Sequence, residues 1–290
     1  MLPRNAWGDS EFCRRRFVRR QGRQPDLTGP GRFTDRLYRI KVDGLMSEPL
    51  YQSVTDKEFA KQYIADAVGW DYVLATYRIL RNRNDIETFV PDRLPCVLKP
   101  THLSGPVLFH TDPGKAIDRD QLYAWIKRER YSSTREANYR GLRPKVIVEE
   151  FFSEDGMTVP KDYKLFCFHG VPKMIQVDAE RFRQHTRNFY DERWIRLPVS
   201  YLYPNGPDDE KPPALEEMLD VASRLASPFP FVRVGLYASP TRVCAGELTF
   251  CPEGANAPLF PSAADTELGK LFDPDYRLDA RACAAAWARD

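Results

Sequence analysis

Arg233 and Glu247 stand in two short apolar runs near the C-terminus. These runs are Phe231-Val232-Arg233-Val234-Gly235-Leu236-Tyr237 and Arg242-Val243-Cys244-Ala245-Gly246-Glu247-Leu248-Thr249-Phe250, joined by a Ser-Pro turn. Charges inside buried strands are costly unless something pairs with them, and a metal-bound nucleotide would pair with both. Two lysines occupy similar settings. Lys99 closes Leu94-Pro95-Cys96-Val97-Leu98-Lys99-Pro100, and Lys164 lies in Asp162-Tyr163-Lys164-Leu165-Phe166-Cys167-Phe168. Lys164 alternates outward from Tyr163 and Leu165, the period-two pattern of a sheet face lining a cleft. An ammonium group is a compact point charge suited to an α- or β-phosphate, although a lysine emerging at a strand end before Pro100 reads similarly. Together these residues suggest an ATP site built from strands.

Glu247 is the leading candidate ligand for Mg2+, because a hard cation that bridges phosphates takes carboxylate oxygens. Arg233, on the neighbouring strand, could stabilise charge building on a transferred phosphoryl group. The alternative is a structural Arg233–Glu247 ion pair. Arg181 and Arg187 follow the Tyr163–Val177 region amid Glu180, His185 and Asn188, and arginines there could hold a substrate carboxylate bidentately or be surface charge.

The elements that must position these residues follow from periodicity and punctuation. Thr55-Asp56-Lys57-Glu58 reads as a capping box, with Phe59, Tyr63, Ile64 and Ala67 at helical spacing and Gly69 as the stop. Strands are expected at Tyr72–Leu80, Cys96–Lys99, Val107–His110, Lys145–Phe151, Tyr163–Phe168 and Val171–Val177, the last two joined by a His169-Gly170 turn. Helices are expected from Asp118 to Arg128 and over Pro212–Leu225, the latter with Leu215, Met218, Leu219, Ala222 and Leu225 on one face. Antiparallel strand pairs with irregularly interspersed helices indicate an α+β chain.

The 290 residues carry a net charge of +2 with 29% charged side chains, so nothing global points to nucleic acid as a partner. The six cysteines (Cys13, Cys96, Cys167, Cys244, Cys251 and Cys283) are scattered without a CxxC pair. They read as reduced, small apolar side chains rather than disulfide or zinc ligands. No apolar run reaches the roughly 20 residues of a membrane span, and none follows Met1 as a signal peptide requires; a cytoplasmic protein is expected. The expected organisation is an Arg-rich, poorly ordered N-terminal arm over 1–32, an N-terminal region over 33–90, a main domain over 91–275 and a C-terminal helical tail over 276–290.

The order of motifs resembles the TupA-like branch of the ATP-grasp superfamily, named for teichuronopeptide biosynthesis. The resemblance covers roughly residues 33–270. It is carried by Asp56-Lys57, Leu94-Pro95-x-Val97-Leu98-Lys99-Pro100, His102-x-Ser104-Gly105, Val148-Glu149-Glu150 and Asp162-Tyr163-Lys164-Leu165-Phe166-x-Phe168-x-Gly170. Further on it is carried by Gln176-Val177-Asp178-x-x-Arg181, Arg233-Val234-x-Leu236-Tyr237 and Gly246-Glu247-Leu248-Thr249-Phe250.

The resemblance implies an ATP-grasp fold, two α+β subdomains whose antiparallel sheets grip ATP. It also implies that a carboxylate is phosphorylated by ATP and the acylphosphate is then attacked by an amine. Family members commonly act in surface-polysaccharide pathways, which suggests a carboxylated glycan or amino-acid substrate. His102, Ser104 and Gly105 then resemble a small-residue lid over the phosphates, where a plain β-turn is the alternative. Glu149 and Glu150 fall at the hinge that would hold adenine, with a solvated strand end as the alternative. Asp162 fits a ribose-hydroxyl acceptor or an orienting partner for Lys164, and Arg181 matches a family position near the substrate. The second metal ligand falls at Thr249. The family motif reads Arg-Val-Asp-Leu-Tyr, its aspartate binding metal, where this chain has Gly235. Asp178, Glu180 or water would have to compensate. The implied cofactors are ATP and Mg2+. The expected activity is amide-forming ligation. An impaired ATP-binding protein serving as partner or regulator is the alternative, and a glycosyltransferase ranks last.

Overall fold

The computed structural model describes residues 2–29, 31–153, 155–179 and 184–287. In chain order, helices α1 (Ala6–Gln21), α2 (Phe33–Val42), α3 (Pro49–Thr55) and α4 (Lys57–Val68) come first, then strand β1 (Thr76–Leu80) and helix α5 (Arg83–Thr88). Strands β2 (Cys96–Pro100) and β3 (Leu108–His110) precede helices α6 (Arg119–Ile126) and α7 (Arg130–Thr134) and strand β4 (Val146–Glu150). Five strands follow: β5 (Asp162–Phe168), β6 (Val171–Ala179), β7 (Thr186–Tyr190), β8 (Arg196–Leu197) and β9 (Ser200–Tyr201). Helix α8 (Leu215–Ala226), strands β10 (Phe231–Ala238), β11 (Val243–Thr249) and β12 (Leu259–Phe260), and helices α9 (Ser262–Gly269) and α10 (Ala280–Trp287) complete the order.

The chain divides into two compact units. The first comprises Met1–Met46, Lys161–Val243 and Leu248–Asp290, and the second Ser47–Pro160 with Cys244–Glu247. The division differs from the four consecutive segments expected from the sequence, because each unit is assembled from separate stretches of chain. No helix among the described residues is long and apolar enough to cross a membrane.

The second unit is built on a sheet of order β1-β4-β2-β3 with antiparallel pairing. Register places Val97 opposite Glu149 and Lys99 opposite Ile147, so these four share one face. Cys96, Leu98, Val146 and Val148 point the other way, into a core with Ile86, Phe89, Leu103, Leu122 and Trp125. One face is therefore apolar and covered, and the other carries charge.

Leading into this unit, the capping box expected at Thr55 does not form. Thr55 ends α3, donating to the Tyr51 carbonyl (2.7 Å) and accepting from Asn138 (2.8 Å). Asp56 caps α4 instead, accepting from the Glu58 amide at 3.0 Å. The buried stripe of α4 is Ala60, Ile64 and Val68. Phe59, expected inside, is 54% exposed, and its ring lies 4.3 Å from the Lys145 ammonium.

The first unit is built on the sheet of order β11-β10-β5-β6-β7-β8. The β5–β6 turn forms at His169-Gly170 as expected, and both residues take positive φ (49° and 78°), the left-handed conformation that a two-residue hairpin demands. Tyr163, Leu165, Cys167, Val232 and Val234 alternate onto the α8 side, where the Cys167 thiol donates to the Ala222 carbonyl. The other face starts apolar, with Phe166, Phe168 and Phe231 packed around Phe33 of α2 and Phe272. It turns polar at Lys164, Gln176 and Asp178.

The N-terminal stretch departs most from expectation. Residues 6–21, expected as poorly ordered arm, form α1, capped by the Asn5 side chain and stopped by Gly22. Its Cys13 and Phe17 are buried, and Phe17 meets Tyr38 edge-on at 5.1 Å. The arginine run obscures a helix whose inward positions are Cys13, Phe17 and the flanking Phe12. Phe17→Ala should destabilise the protein by about 3–5 kcal/mol, the cost of emptying a buried aromatic site. Urea unfolding of the variant measures this, and an unchanged midpoint would show α1 to be loosely held.

Candidate functional site

In the second unit, α4 and the charged face of the β1-β4-β2-β3 sheet bring lysines and carboxylates together. Glu149 is buried between Lys99, whose ammonium it pairs with directly, and Lys61, 2.9 Å away. Burial works to raise the Glu149 carboxyl, but the two ammonium groups override it and hold the group below the usual carboxylate range. Lys61 also donates to the Leu74 carbonyl. One turn earlier on α4, Lys57 donates to the carbonyls of Pro100 (3.2 Å) and Leu103 (2.5 Å). Burial pushes Lys57 down to about 8, with Glu247 the largest opposing charge, ahead of Asp56 and Glu149, and Lys99 adding to the depression. Lys99, Glu149 and Glu247, singled out in the sequence, therefore surround one lysine that was not.

Other expected residues have different surroundings. The His102 ring is buried, its Nε2 3.1 Å from the Arg128 carbonyl at the end of α6. Burial lowers its basicity. That is the setting of a histidine fixing local structure rather than a phosphate donor. Ser104 is half-buried and Gly105 exposed with φ of 102°. Lys57 ties the start of this loop down through the Leu103 carbonyl. Glu150 accepts from the Ala75 amide at 3.2 Å, bracing β4 against the entry to β1.

In the first unit, Asp178 is the hub of the polar face. Lys164 donates to Asp178 at 2.6 Å and also to Asp162. Arg187 Nε reaches Asp178 Oδ1 at 2.6 Å, Gln176 donates to Oδ2 at 2.9 Å, and His185 Nε2 lies 3.2 Å from Oδ1. Burial works to raise Asp178, and Lys164 with Arg187 drives it far below the usual carboxylate range instead. Asp162 is thus an orienting partner of Lys164, one of the two roles expected of it. Arg187 continues to Glu253 (2.9 Å) and the Tyr201 carbonyl (3.0 Å).

Arg233 lies over the Phe166 ring, its Nη1 3.9 Å from Glu253 and its Nη2 3.4 Å from the Thr249 hydroxyl. A guanidinium so close makes that hydroxyl a poor cation ligand, which counts against Thr249 as a metal ligand. Glu253 and Ala255 take positive φ (51° and 56°) on either side of Gly254 (66°). Such runs persist only where surroundings impose them. Here Lys41 donates to the Gly254 carbonyl and Tyr201 to that of Pro252. Arg181 lies outside the described residues, as does Glu180.

Among the described residues no three His, Cys, Asp or Glu side chains are grouped to hold a metal ion. Gly235 lies opposite Lys164 in register and offers no side-chain oxygen.

Lys57, Lys61 and Glu253 were given no role from sequence, and Arg187 only that of a possible substrate-carboxylate contact. The first two sit at i and i+4 on α4, a spacing that could have signalled one charged face. Arg187 pairs with Asp178 only through the β6–β7 register, which no local pattern reveals.

A family model described as TupA-like ATPgrasp matches residues 37–273. The chain belongs to this family. Its fold is the α+β ATP-grasp fold of that family, and ATP-grasp ligases are among the solved structures it is similar to. One is ATP-grasp ligase PsnB complexed with a phosphomimetic variant of minimal precursor, Mg and ADP (12% identity, TM-score 0.39, 76% of this chain and 58% of that one). Another is D-alanine–D-alanine ligase from Bacillus anthracis complexed with ATP (16% identity, TM-score 0.39, 69% and 56%). A third is D-alanine–D-alanine ligase from Helicobacter pylori (17% identity, TM-score 0.38, 71% and 56%). The TupA-like chain spans less than three fifths of the length of these three. No curated protein sequence matches it significantly.

Lys57 carries a pH signature. The folded chain releases this proton at about 8 and the unfolded chain near 10.5. Between those values the unfolded state binds more protons, so the contribution of Lys57 to stability rises with pH across that window. Lys57→Met lacks this component. The unfolding free energy of wild type relative to the variant should climb from pH 8 towards 10.5 in urea titrations, and a flat difference would refute the depressed value.

Proposed function

We propose that this TupA-like ATP-grasp protein is an ATP-dependent carboxylate–amine ligase acting through an acylphosphate, on a carboxylated glycan or amino-acid precursor of a surface polysaccharide. The observation that carries the proposal is a pair of lysines, one buried and one largely buried, each held on a sheet face by carboxylates. Lys99 is held by Glu149, and Lys164 by Asp162 and Asp178. In a family defined by ATP use, buried ammonium groups of this kind suit a polyphosphate, whose negative charge they would meet as fixed, preorganised charges.

A substrate carboxylate oxygen attacks the terminal phosphorus of ATP, the bond to the β–γ bridging oxygen breaks, and ADP leaves. An amine then attacks the acyl carbon and inorganic phosphate departs as the amide forms. By their place in the family motifs, Lys99 and Lys164 are each suited to phosphate charge, Arg233 to charge developing on a transferred group, and Arg181 to a substrate carboxylate. Mg2+, when bound, neutralises phosphate charge, and Glu247 is the carboxylate that would hold it. Gly235 favours a second reading, a nucleotide-binding protein that does not turn over and acts as a partner or regulator.

Incubation with ATP, Mg2+, a panel of uronic and amino acids, and hydroxylamine as the amine tests the chemistry. An acylphosphate gives a hydroxamate together with ADP and phosphate in equal amounts, whereas AMP and pyrophosphate would overturn the proposal. Glu247→Ala should lower the rate about 100-fold or more, the scale of removing one electrostatic contact to developing charge. A Gly235→Asp variant separates the two readings. Turnover rising from nothing marks the wild type as the non-catalytic binder, and wild-type turnover unaffected or lowered by the added carboxylate supports the ligase.

A further inference from the structure

Residues 1–32 contain eight arginines, no lysine and three acids, while the remaining chain has 35 basic and 38 acidic residues. The chain is therefore polarised, with a cationic N-terminal stretch on a mildly acidic body. Most of that cationic stretch is α1. The inward side of α1 is already satisfied by Cys13 and Phe17 against Tyr38, so its outward side is not needed for packing. Along that side Trp7, Glu11, Arg14, Arg15 and Val18 follow one another at i, i+4, i+7, i+8 and i+11, a single stripe of a helix. Arg19 extends it by another turn from Arg15. Arg15, Arg19 and Arg20 are exposed, and the indole of Trp7 is 65% exposed. Glu11 holds Arg14 (2.8 Å) and Arg15 (2.6 Å) side by side, which fixes their guanidiniums without cancelling the charge of the face.

We propose that this face of α1 docks on an anionic lipid surface. Guanidinium forks bind phosphodiester oxygens in pairs, and an indole settles at the level of lipid headgroups, one end apolar and the other wet. A surface that combines several arginines with a large exposed aromatic ring is the combination that interfacial helices use. Nucleic acid offers the same phosphates but gives Trp7 no matching environment on a duplex. Because the inward side of α1 is occupied, the helix would lie on headgroups as a preformed rigid element and would not bury itself among acyl chains. Attraction of this kind is screened by salt.

Co-sedimentation with vesicles tests the proposal on the full chain, using phosphatidylcholine alone and with about 30 mol% phosphatidylglycerol at about 0.1 M salt. Partition into the anionic vesicles only, weakening as salt is raised, is the expected result. Arg15→Gln with Arg19→Gln should lower the partition coefficient about thirty-fold, from a contribution of about 1 kcal/mol per arginine near the surface. Trp7→Ala should lower it further. Both sites are exposed, so the thermal unfolding midpoint should be unaltered, which confirms that the variants are folded. Absence of binding, equal binding to the two vesicle types, or binding indifferent to the arginine replacements overturns the proposal. Tighter binding to duplex DNA than to vesicles of equal phosphate content overturns it in favour of nucleic acid.

Discussion

A buried ammonium or guanidinium group must meet an acceptor oxygen, and where that acceptor is a carboxylate the pairing organises the charged sheet face of each unit. Glu149 meets Lys99 and Lys61 on one sheet, and Asp178 meets Lys164 and Arg187 on the other. Removing one member of such a pair typically costs about 3–5 kcal/mol, because the survivor keeps its desolvation penalty without its partner. The same pairing fixes side chains that would otherwise wander. A lysine has a long, flexible stem, and a carboxylate on a neighbouring strand converts it into a charge of defined position. Strand register does this work in the first unit, since Asp162 lies opposite Asp178 and both flank the row of Lys164 and Gln176.

Much of the fold could be read from residues alone, and the reason is period. Strands such as Cys96–Pro100 and Asp162–Phe168 alternate or run apolar between turn residues, and helix α8 repeats its apolar positions cleanly. Two kinds of feature were hidden. The first was α1, whose five arginines and other polar positions conceal the spacing of Phe12, Cys13 and Phe17. The second was the one-residue shift in α4, where Asp56 and not Thr55 takes the cap and the stripe therefore moves from Phe59 to Ala60. Neither error arises from propensity. Both arise from contacts made with segments distant in sequence.

At the level of individual side chains the sequence picked out several carboxylates and lysines that the structure pairs, but not their couplings. Lys99, Glu149 and Glu247 could each be singled out as a charge in an apolar strand. That they act on a common neighbour, Lys57, required α4 to be placed over the sheet. His102 shows the opposite case. A histidine beside Ser104-Gly105 looks chemical on paper, yet its ring is taken up by the end of α6. Gly235 keeps its meaning in both descriptions. It removes an oxygen from the row opposite Lys164, and the surrounding network supplies carboxylates that are already engaged with cations.

Strand β11 begins and ends in one compact unit and passes through the other in its middle, Cys244–Glu247. The shorter body is thus completed by a four-residue segment far along the chain, which forms a parallel bridge from Ala245 to Val73. Excising residues 47–160 as a stand-alone fragment would preserve the lysines of α4 and β2 yet strip out the carboxylate at 247. Dissection of this protein into contiguous pieces therefore separates the acid at 247 from the lysines of α4 and β2.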